Sequence, residues 1–272
     1  MFRMLPVNQC PLCGGEGEPF KPTKELLQLE GYDKFLKVYS ADVCQNCGTI
    51  YQNPCLSDLE RYYGSGAYRT EHPKNPIFSD SDTPEVRRSE RLVTVIDRFN
   101  INPKSCLDVG CGTGELLKQL EIFFYAKVLG LEQDRSISDF DNMVYSKEDV
   151  VDKFDLITCI HVMEHMAEPI KELEWMLSKL NPGGTILLEI PTAMSPTIAH
   201  LYVPSRKGLE IMLNNLNLEY LYLPHDIVCN ILIGENYSSY FVQKVYYTYE
   251  SPDFDTKSEV HNWLKNSYDV KG

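Results

Sequence analysis

The segment that decides the fold reads Leu107-Asp108-Val109-Gly110-Cys111-Gly112-Thr113-Gly114. It continues an apolar run that starts at Ser105, and an amphipathic pattern over 115–124 follows it. The apolar run predicts a buried strand, and the amphipathic pattern predicts a helix. Glycines at alternate positions between the two predict a tight turn, because glycine adopts backbone angles that other residues avoid.

This glycine turn, residues 110–114, does not suit a ligand that carries phosphates. Dinucleotide binding uses the pattern G-x-G-x-x-G, and Glu115 stands where the third glycine belongs. A carboxylate there repels pyrophosphate. The Gly-Lys-Ser/Thr of a P-loop is also missing from the turn. A ligand with an ammonium group and a sulfonium group matches the carboxylates of Asp108 and Glu115 better.

Outward from the glycine turn, apolar strands alternate with amphipathic helices. Strands are predicted over 105–109, 126–131, 142–145, 154–159, 185–190, 219–223 and 240–249. Helices are predicted over 85–99, 115–124, 169–180 and 205–215. This alternation predicts an α/β fold of the Rossmann-like type, a mostly parallel sheet with helices on both faces.

Two further features lie where predicted strands end. Glu132 follows the second strand, where a carboxylate can accept hydrogen bonds from both hydroxyls of a ribose. The loop His161-Val162-Met163-Glu164-His165 follows the fourth strand. Ligands of open α/β folds bind at the carboxyl edge of the sheet, so we expect this loop to line the site.

Two cysteine pairs near the start of the chain have the spacing of a metal site. They are Cys10 with Cys13 and Cys44 with Cys47, each followed by glycine. Such pairs can hold one tetrahedral ion, and four sulfur ligands leave no position for water. The pattern therefore predicts a structural Zn²⁺. A redox-active pair is disfavoured, because no thioredoxin-like strand and helix surround either one.

Over 85–223 the chain resembles the class I S-adenosylmethionine (SAM) methyltransferases. Four features carry the resemblance: the glycine turn, the acid after the second strand, the Glu164-His165 pair and the Asn181-Pro182-Gly183-Gly184 turn. The resemblance implies a set of residues around the amino-acid end of the cofactor. They are Asp108, Gly110, Cys111, Gly112 and Gly114. It also implies that Glu132 binds the ribose and that His161 lies at the cofactor.

The cysteine pairs, a Tyr-Tyr-Gly segment and this domain resemble the zinc-containing methyltransferases of sugars and of capsule or antibiotic precursors. In that group a histidine after the fifth strand approaches the acceptor, which here points to His200. His200 is expected to be the general base, with His161 second and Tyr202 orienting the acceptor; His165 is expected to fix its loop. Ala199 stands where sugar C-methyltransferases carry Glu, and their large C-terminal domain is missing. Both departures favour O- or N-methylation.

Three domains are expected: a zinc-binding module with an aromatic linker over 1–70, a SAM-binding domain over 84–250, and a C-terminal helix or tail over 251–272. The formal net charge of −13 disfavours nucleic acid as a partner. No membrane segment or secretory signal is visible, so a cytoplasmic protein acting on a small-molecule acceptor is expected. The alternatives are an RNA or protein methyltransferase that docks its substrate on the zinc module, and a non-catalytic scaffold.

Overall fold

The structure of the protein is a computed structural model, which describes residues 4–20, 40–56, 84–135, 140–191, 200–225 and 228–234. Its strands are β1 Met4–Leu5, β2 Gly17–Pro19, β3 Ala41–Cys44, β4 Ile50–Gln52, β5 Cys55–Leu56, β6 Ser105–Val109, β7 Lys127–Leu131, β8 Met143–Val144, β9 Phe154–Ile160, β10 Leu180–Pro191, β11 Tyr202–Val203, β12 Tyr220–His225 and β13 Val228–Ile233. Its helices are α1 Pro84–Arg98, α2 Glu115–Phe124, α3 Pro169–Ser178 and α4 Arg206–Asn215. The predicted strand over 240–249, the Tyr-Tyr-Gly segment and the tail lie outside the described residues.

The contacts within the chain divide it into two units. The first consists of Met1–Ser57, His161–Glu174 and Glu189–Gly272, and the second of Asp58–Ile160 and Trp175–Leu188. The cysteine pairs and the predicted acceptor histidine therefore belong to the first unit. The glycine turn belongs to the second.

The second unit is the Rossmann-like part of the chain. Its strands follow the order β10-β9-β6-β7-β8, and the pairs β6–β7, β6–β9 and β7–β8 are parallel. The helix α2 forms where it was predicted, because Leu116, Leu117, Leu120 and Phe124 recur on one face and are buried. The predicted parallel sheet is confirmed for strands β9, β6, β7 and β8.

The first unit contains smaller sheets. Strands β11, β4, β3 and β2 form one sheet in that order, and its pairs are antiparallel. Strand β1 pairs with β5 in a sheet of two strands. The antiparallel hairpin of β12 and β13 also belongs to this unit but is not a sheet of its own. Ser205 caps α4, since its hydroxyl oxygen accepts a hydrogen bond of 2.9 Å from the Gly208 N–H.

Several elements differ from the prediction, among them the short strands β1–β5 and β11, which were not predicted. Strand β10 begins at Leu180, whereas Asn181-Pro182-Gly183-Gly184 was expected to precede it. The Asn181 amide donates to the Asp155 carboxylate over 2.8 Å, which holds this stretch to the start of β9. Strand β13 was not predicted. Among the described residues no helix could cross a membrane, since the longest has 15 residues.

Candidate functional site

The glycine turn depends on backbone angles that favour glycine. Gly110, Gly112 and Gly114 have φ of 72°, 55° and 77°, all in the left-handed region. The Gly110 N–H donates to the Leu131 carbonyl over 2.7 Å, and the Gly114 N–H donates to the Cys111 carbonyl over 3.0 Å. The first of these bonds ties the turn to the end of β7, where Glu132 follows.

Glu132 is fixed by backbone donors on both carboxylate oxygens. Its Oε2 accepts a hydrogen bond of 2.9 Å from the Gly112 N–H, and its Oε1 accepts one of 2.9 Å from the Asp134 N–H. A carboxylate has about four lone-pair sites, so two backbone bonds leave acceptor capacity for ligand hydroxyls. The predicted ribose acid therefore lies directly against the predicted cofactor turn.

Asp108 lies beneath the turn and is 4% exposed. The Thr158 hydroxyl donates to its Oδ1 over 2.6 Å. Burial raises the pKa of Asp108 to about 7, an effect that the Thr158 bond reduces and the Glu132 charge increases. A cationic ligand beside this carboxylate would favour its ionised form.

The structure limits what two other turn residues can offer. A Cβ on Gly130 would lie 2.5 Å from the Cys111 sulfur, so the thiol is directed at β7 and the backbone of Cys111 is what remains for a ligand. Burial raises the pKa of the Cys111 thiol. A Cβ on Gly114 would lie 2.8 Å from the Phe140 ring. Phe140 was missed by the sequence reasoning, because only the fold brings it to the turn.

The first unit holds a second group of polar residues. We call it the acid–histidine cluster, and it consists of His161, Glu164, His165, Glu189 and His200. The Glu164 Oε1 lies 3.6 Å from His161 Nδ1 and 3.7 Å from His165 Nε2. Ligand atoms of Glu164, His165 and His200 all lie within 4.8 Å of one another. The rings of His165 and His200 meet edge to face, with centroids 4.8 Å apart.

Glu164 is the buried centre of the cluster. Its side chain is fully buried, and no hydrogen-bond donor of the described residues reaches either of its oxygens. Burial raises the pKa of Glu164, but the neighbouring imidazoles of His161, His165 and His200 outweigh burial and lower it. An ionised carboxylate is therefore held in the interior by imidazoles.

His161 lies between two carboxylates. Its Nε2 is 3.1 Å from the Glu189 Oε1, and its Nδ1 faces Glu164. Its φ is 54°, which is uncommon for a residue other than glycine, and its N–H donates to the Glu189 carbonyl over 2.9 Å. Both ring nitrogens thus face acids, which favours a positioning role. Glu189 was missed, although it is the one carboxylate in the apolar run 185–190.

The segment that carries His200 is fixed on two sides. The Gln52 amide donates to the His200 carbonyl over 3.0 Å, and the Leu201 N–H donates to the Glu164 carbonyl over 2.8 Å. Tyr202 is 1% exposed, and its hydroxyl donates to the Met163 carbonyl over 2.5 Å. The hydroxyl expected to orient the acceptor is therefore bonded to the loop of Glu164 and His165.

The four cysteines of the two pairs come together as predicted. The sulfurs of Cys10 and Cys47 lie 3.7 Å apart, and those of Cys13 and Cys44 lie 3.4 Å apart. Four sulfurs at about 2.3 Å from a tetrahedral Zn²⁺ would be about 3.8 Å apart. A hydrogen bond from the Cys10 thiol lowers the pKa of Cys47 to about 5, although burial opposes it. The donor set fits a structural zinc ion.

The start of α4 packs on the second cysteine pair. The Ser205 hydroxyl donates to the Cys47 carbonyl, and the Ser205 N–H donates to the Thr49 hydroxyl over 3.2 Å. A Cβ on Gly208 would lie 2.4 Å from the Thr49 hydroxyl oxygen and 3.2 Å from the Cys47 sulfur. Ser205 and Gly208 thus pack directly against the second cysteine pair and Thr49.

Comparison with known proteins identifies the family. The model of the methyltransferase domain family matches residues 85–238, which is more than half of the chain. The chain is 33% identical over 169 residues to a tRNA U34 carboxymethyltransferase of Campylobacter curvus, covering 54% of this chain and 56% of that protein. It is 28% identical over 111 residues to a ubiquinone biosynthesis O-methyltransferase of Coxiella burnetii, covering 35% and 47%. The chain thus spans about half the length of these curated relatives.

Among solved structures, the plantazolicin methyltransferase BamL in complex with a triazolic desmethylPZN analog and SAH matches with a TM-score of 0.49 and 12% identity, covering 65% of this chain and 94% of that one. The family match includes the strand, glycine turn and helix described above. The chain therefore belongs to the methyltransferase domain family.

Proposed function

We propose that the protein transfers the methyl group of SAM to a hydroxyl or an amine of a small molecule, such as a sugar or a precursor of a capsule or secondary metabolite. The observation that carries the cofactor part is the 2.9 Å hydrogen bond from the Gly112 N–H to the Glu132 carboxylate. This bond joins the glycine turn, which would bind the amino-acid end of SAM, to Glu132, which would bind its ribose.

In this proposal the cofactor residues act mainly through charge and backbone. The backbone of Gly110, Cys111, Gly112 and Gly114 surrounds the amino-acid end, and Asp108 supplies the negative charge beneath it. Glu132 accepts hydrogen bonds from the ribose hydroxyls. His161 acts as a positioning residue for its loop, because its two ring nitrogens already face Glu164 and Glu189.

SAM supplies a methyl group on a sulfonium, which is an activated electrophile, so alignment of the acceptor accounts for much of the catalysis. His200 assists the loss of the proton from the acceptor, a contribution on the order of a hundredfold or more. The neighbouring imidazoles lower the pKa of the buried Glu164, so its carboxylate stays ionised beside His200. Tyr202 orients this region through the Met163 carbonyl rather than through the acceptor itself.

The four cysteines hold a structural Zn²⁺ in this proposal. Two observations support it. The sulfurs of the facing cysteines lie 3.4 and 3.7 Å apart, and four thiolates are a ligand set typical of structural zinc sites. The ion would fix the second cysteine pair, and with it the Ser205 and Gly208 contacts at the start of α4.

The second candidate acceptor is an RNA. It is favoured by the similarity to a protein named as a tRNA carboxymethyltransferase. The net charge of −13 opposes it, because RNA binding is largely driven by contacts between basic side chains and phosphates. We therefore place the small-molecule acceptor first.

Methyl-labelled SAM distinguishes the two acceptors. The protein is incubated with labelled SAM and with a host extract separated into small molecules, RNA and protein. We expect label in the small-molecule fraction alone. Label confined to RNA contradicts the acceptor proposal. Calorimetry on the same protein tests the cofactor part, which fails if neither SAM nor its demethylated product gives heat while a pyridine dinucleotide binds.

A further inference from the structure

Three residues of the acid–histidine cluster present metal-ligating atoms to one another. Glu164, His165 and His200 each offer one atom, and these atoms all lie within 4.8 Å of one another. The cysteines are the other such group among the described residues, and they account for a different ion. The cluster of Glu164, His165 and His200 therefore needs its own explanation.

The distances within this cluster are compatible with one ion. Zinc bonds to imidazole nitrogen and carboxylate oxygen measure about 2.0–2.2 Å. The separation of 3.7 Å between Glu164 Oε1 and His165 Nε2 then corresponds to an angle of about 120° at the ion. The largest separation that the cluster permits, 4.8 Å, exceeds two such bonds by about 0.6 Å. In a tetrahedral site such atoms stand about 3.4 Å apart, so the widest pair has to close by about 1.4 Å, which a movement of about 0.7 Å by each side chain achieves.

The carboxylate of Glu164 provides an independent reason to expect an ion. It is fully buried, and neither oxygen has a hydrogen-bond donor among the described residues. The two imidazole nitrogens that face it stand at 3.6 and 3.7 Å, which is beyond hydrogen-bond length. Buried carboxylates are normally hydrogen-bonded, paired at close range or bound to a metal. An ion among the three residues would give Glu164 a partner at bonding distance.

The kinds of ligand decide the kind of ion. Two imidazoles with one carboxylate are typical of Zn²⁺ and other divalent first-row transition ions, whereas Mg²⁺ and Ca²⁺ prefer oxygen ligands. Three protein ligands leave at least one coordination position for water or a substrate oxygen. His165 and His200 are partly buried, so each keeps some exposure to solvent, whereas Glu164 is fully buried.

We propose that Glu164, His165 and His200 bind a divalent first-row transition ion, separate from the ion of the four cysteines, with an open position for an oxygen of the acceptor. This inference rests on the proposed function for the role of His200 in acceptor activation, and it makes His200 a ligand rather than a base. An oxygen bound to such an ion is more acidic, which meets the same chemical need.

Cobalt titration of the metal-free full-length chain tests the proposal. Co²⁺ bound to thiolates gives a charge-transfer band, whereas Co²⁺ bound to imidazole and carboxylate gives weaker bands without it, so the sites report separately. We expect the parent chain to bind about two Co²⁺ ions. In Glu164→Gln and His165→Ala the count falls to about one, and the thiolate band is unchanged. Glu210→Gln makes the same carboxylate-to-amide change in the Arg206 ion pair on α4 and keeps about two.

A second measurement on the parent chain needs no variant. Modification of histidines by diethyl pyrocarbonate, read by mass spectrometry, is expected to be slowed by Co²⁺ at His165 and His200. A parent chain that binds Co²⁺ only at thiolates, or histidines that the ion does not protect, overturns the proposal. Both results are independent of SAM binding, which calorimetry on the same samples measures separately. A failure of the metal proposal is therefore distinguishable from a failure of the proposed function.

Discussion

The glycine turn and the acid–histidine cluster satisfy their charges in opposite ways. In the glycine turn both Glu132 oxygens accept backbone hydrogen bonds of 2.9 Å. In the cluster the Glu164 oxygens have no donor among the described residues, and imidazoles compensate the charge from 3.6 Å or more. The turn is thus complete without its ligand. The cluster has a buried charge that an added ion would satisfy.

This difference suggests that the glycine turn binds its ligand through a fixed backbone, whereas the acid–histidine cluster can change its protonation and its ligands. Backbone donors are fixed by the chain path, so the turn presents one shape to the cofactor. Imidazoles change their charge and their metal ligation within the range of cellular pH, so the cluster responds to its occupant. We therefore expect changes in the turn to act on cofactor affinity and changes in the cluster to act on turnover.

The largest effect is expected for Gly114→Ala. The residue has a φ of 77°, and its new Cβ would lie 2.8 Å from the Phe140 ring. Strain of about 1–3 kcal/mol corresponds to a loss of SAM affinity of up to about 150-fold, and displacement of Phe140 should increase the loss measured by calorimetry beyond that. Gly183→Ala is the control, because Gly183 has a φ of 75° with nothing near its Cβ position. Equal affinity losses in both variants would show that backbone strain alone is responsible.

The next effect is expected for His200→Ala. Loss of the imidazole that activates the acceptor should lower kcat by about 100-fold and leave the dissociation constant of SAM unchanged. The control is Asn215→Ala, which removes an exposed side chain at the end of α4. A kcat within a few-fold of the parent would remove His200 from the mechanism.

The smallest effect is a pH dependence that originates at Asp108. Because burial raises its pKa to about 7, this carboxyl ionises as pH rises from 6 to 8. The affinity for cationic SAM should therefore rise over that range by about tenfold more in the parent than in Asp108→Asn. The amino group of SAM also titrates, but it affects both proteins equally. The ratio of the SAM dissociation constants of the parent and Asp108→Asn at each pH therefore reports on Asp108 alone. A ratio that stays constant with pH would exclude Asp108 as the source.

The same raised pKa has a consequence for stability. Between pH 4 and 7, in round figures, the folded chain holds a proton on Asp108 that the unfolded chain has released. The contribution of Asp108 to the free energy of unfolding therefore falls as pH rises through that window, and chemical denaturation at several pH values measures it. Asp108→Asn should flatten the dependence.

The elements next to the glycine turn could be predicted from sequence, because their signals are local. Strand β6 and helix α2 have the predicted bounds, since apolar runs and apolar faces within ten residues specify them. Strand β13 was missed although Val228–Ile233 is an apolar run followed by Gly234. The aromatic stretch over 240–249 is longer and therefore the stronger signal of the same kind.

The acid–histidine cluster could be predicted only in part. His161, Glu164 and His165 are neighbours in sequence, and their loop was expected at a strand end. Glu189 and His200 join them through the fold, and no spacing rule connects residues 28 or more positions apart. The Tyr202 hydroxyl shows the same limit, because its bond to the Met163 carbonyl bridges 39 positions.

The contacts of Ser205 and Gly208 with the second cysteine pair have a consequence for engineering. The stretch 200–208 has no room for a larger residue at Gly208, where a single added carbon would meet Thr49. Exchanging this stretch for that of a relative, in order to change the acceptor, would therefore fail unless residues 44–52 were exchanged with it. The two stretches would have to be exchanged together, although about 150 residues of chain separate them.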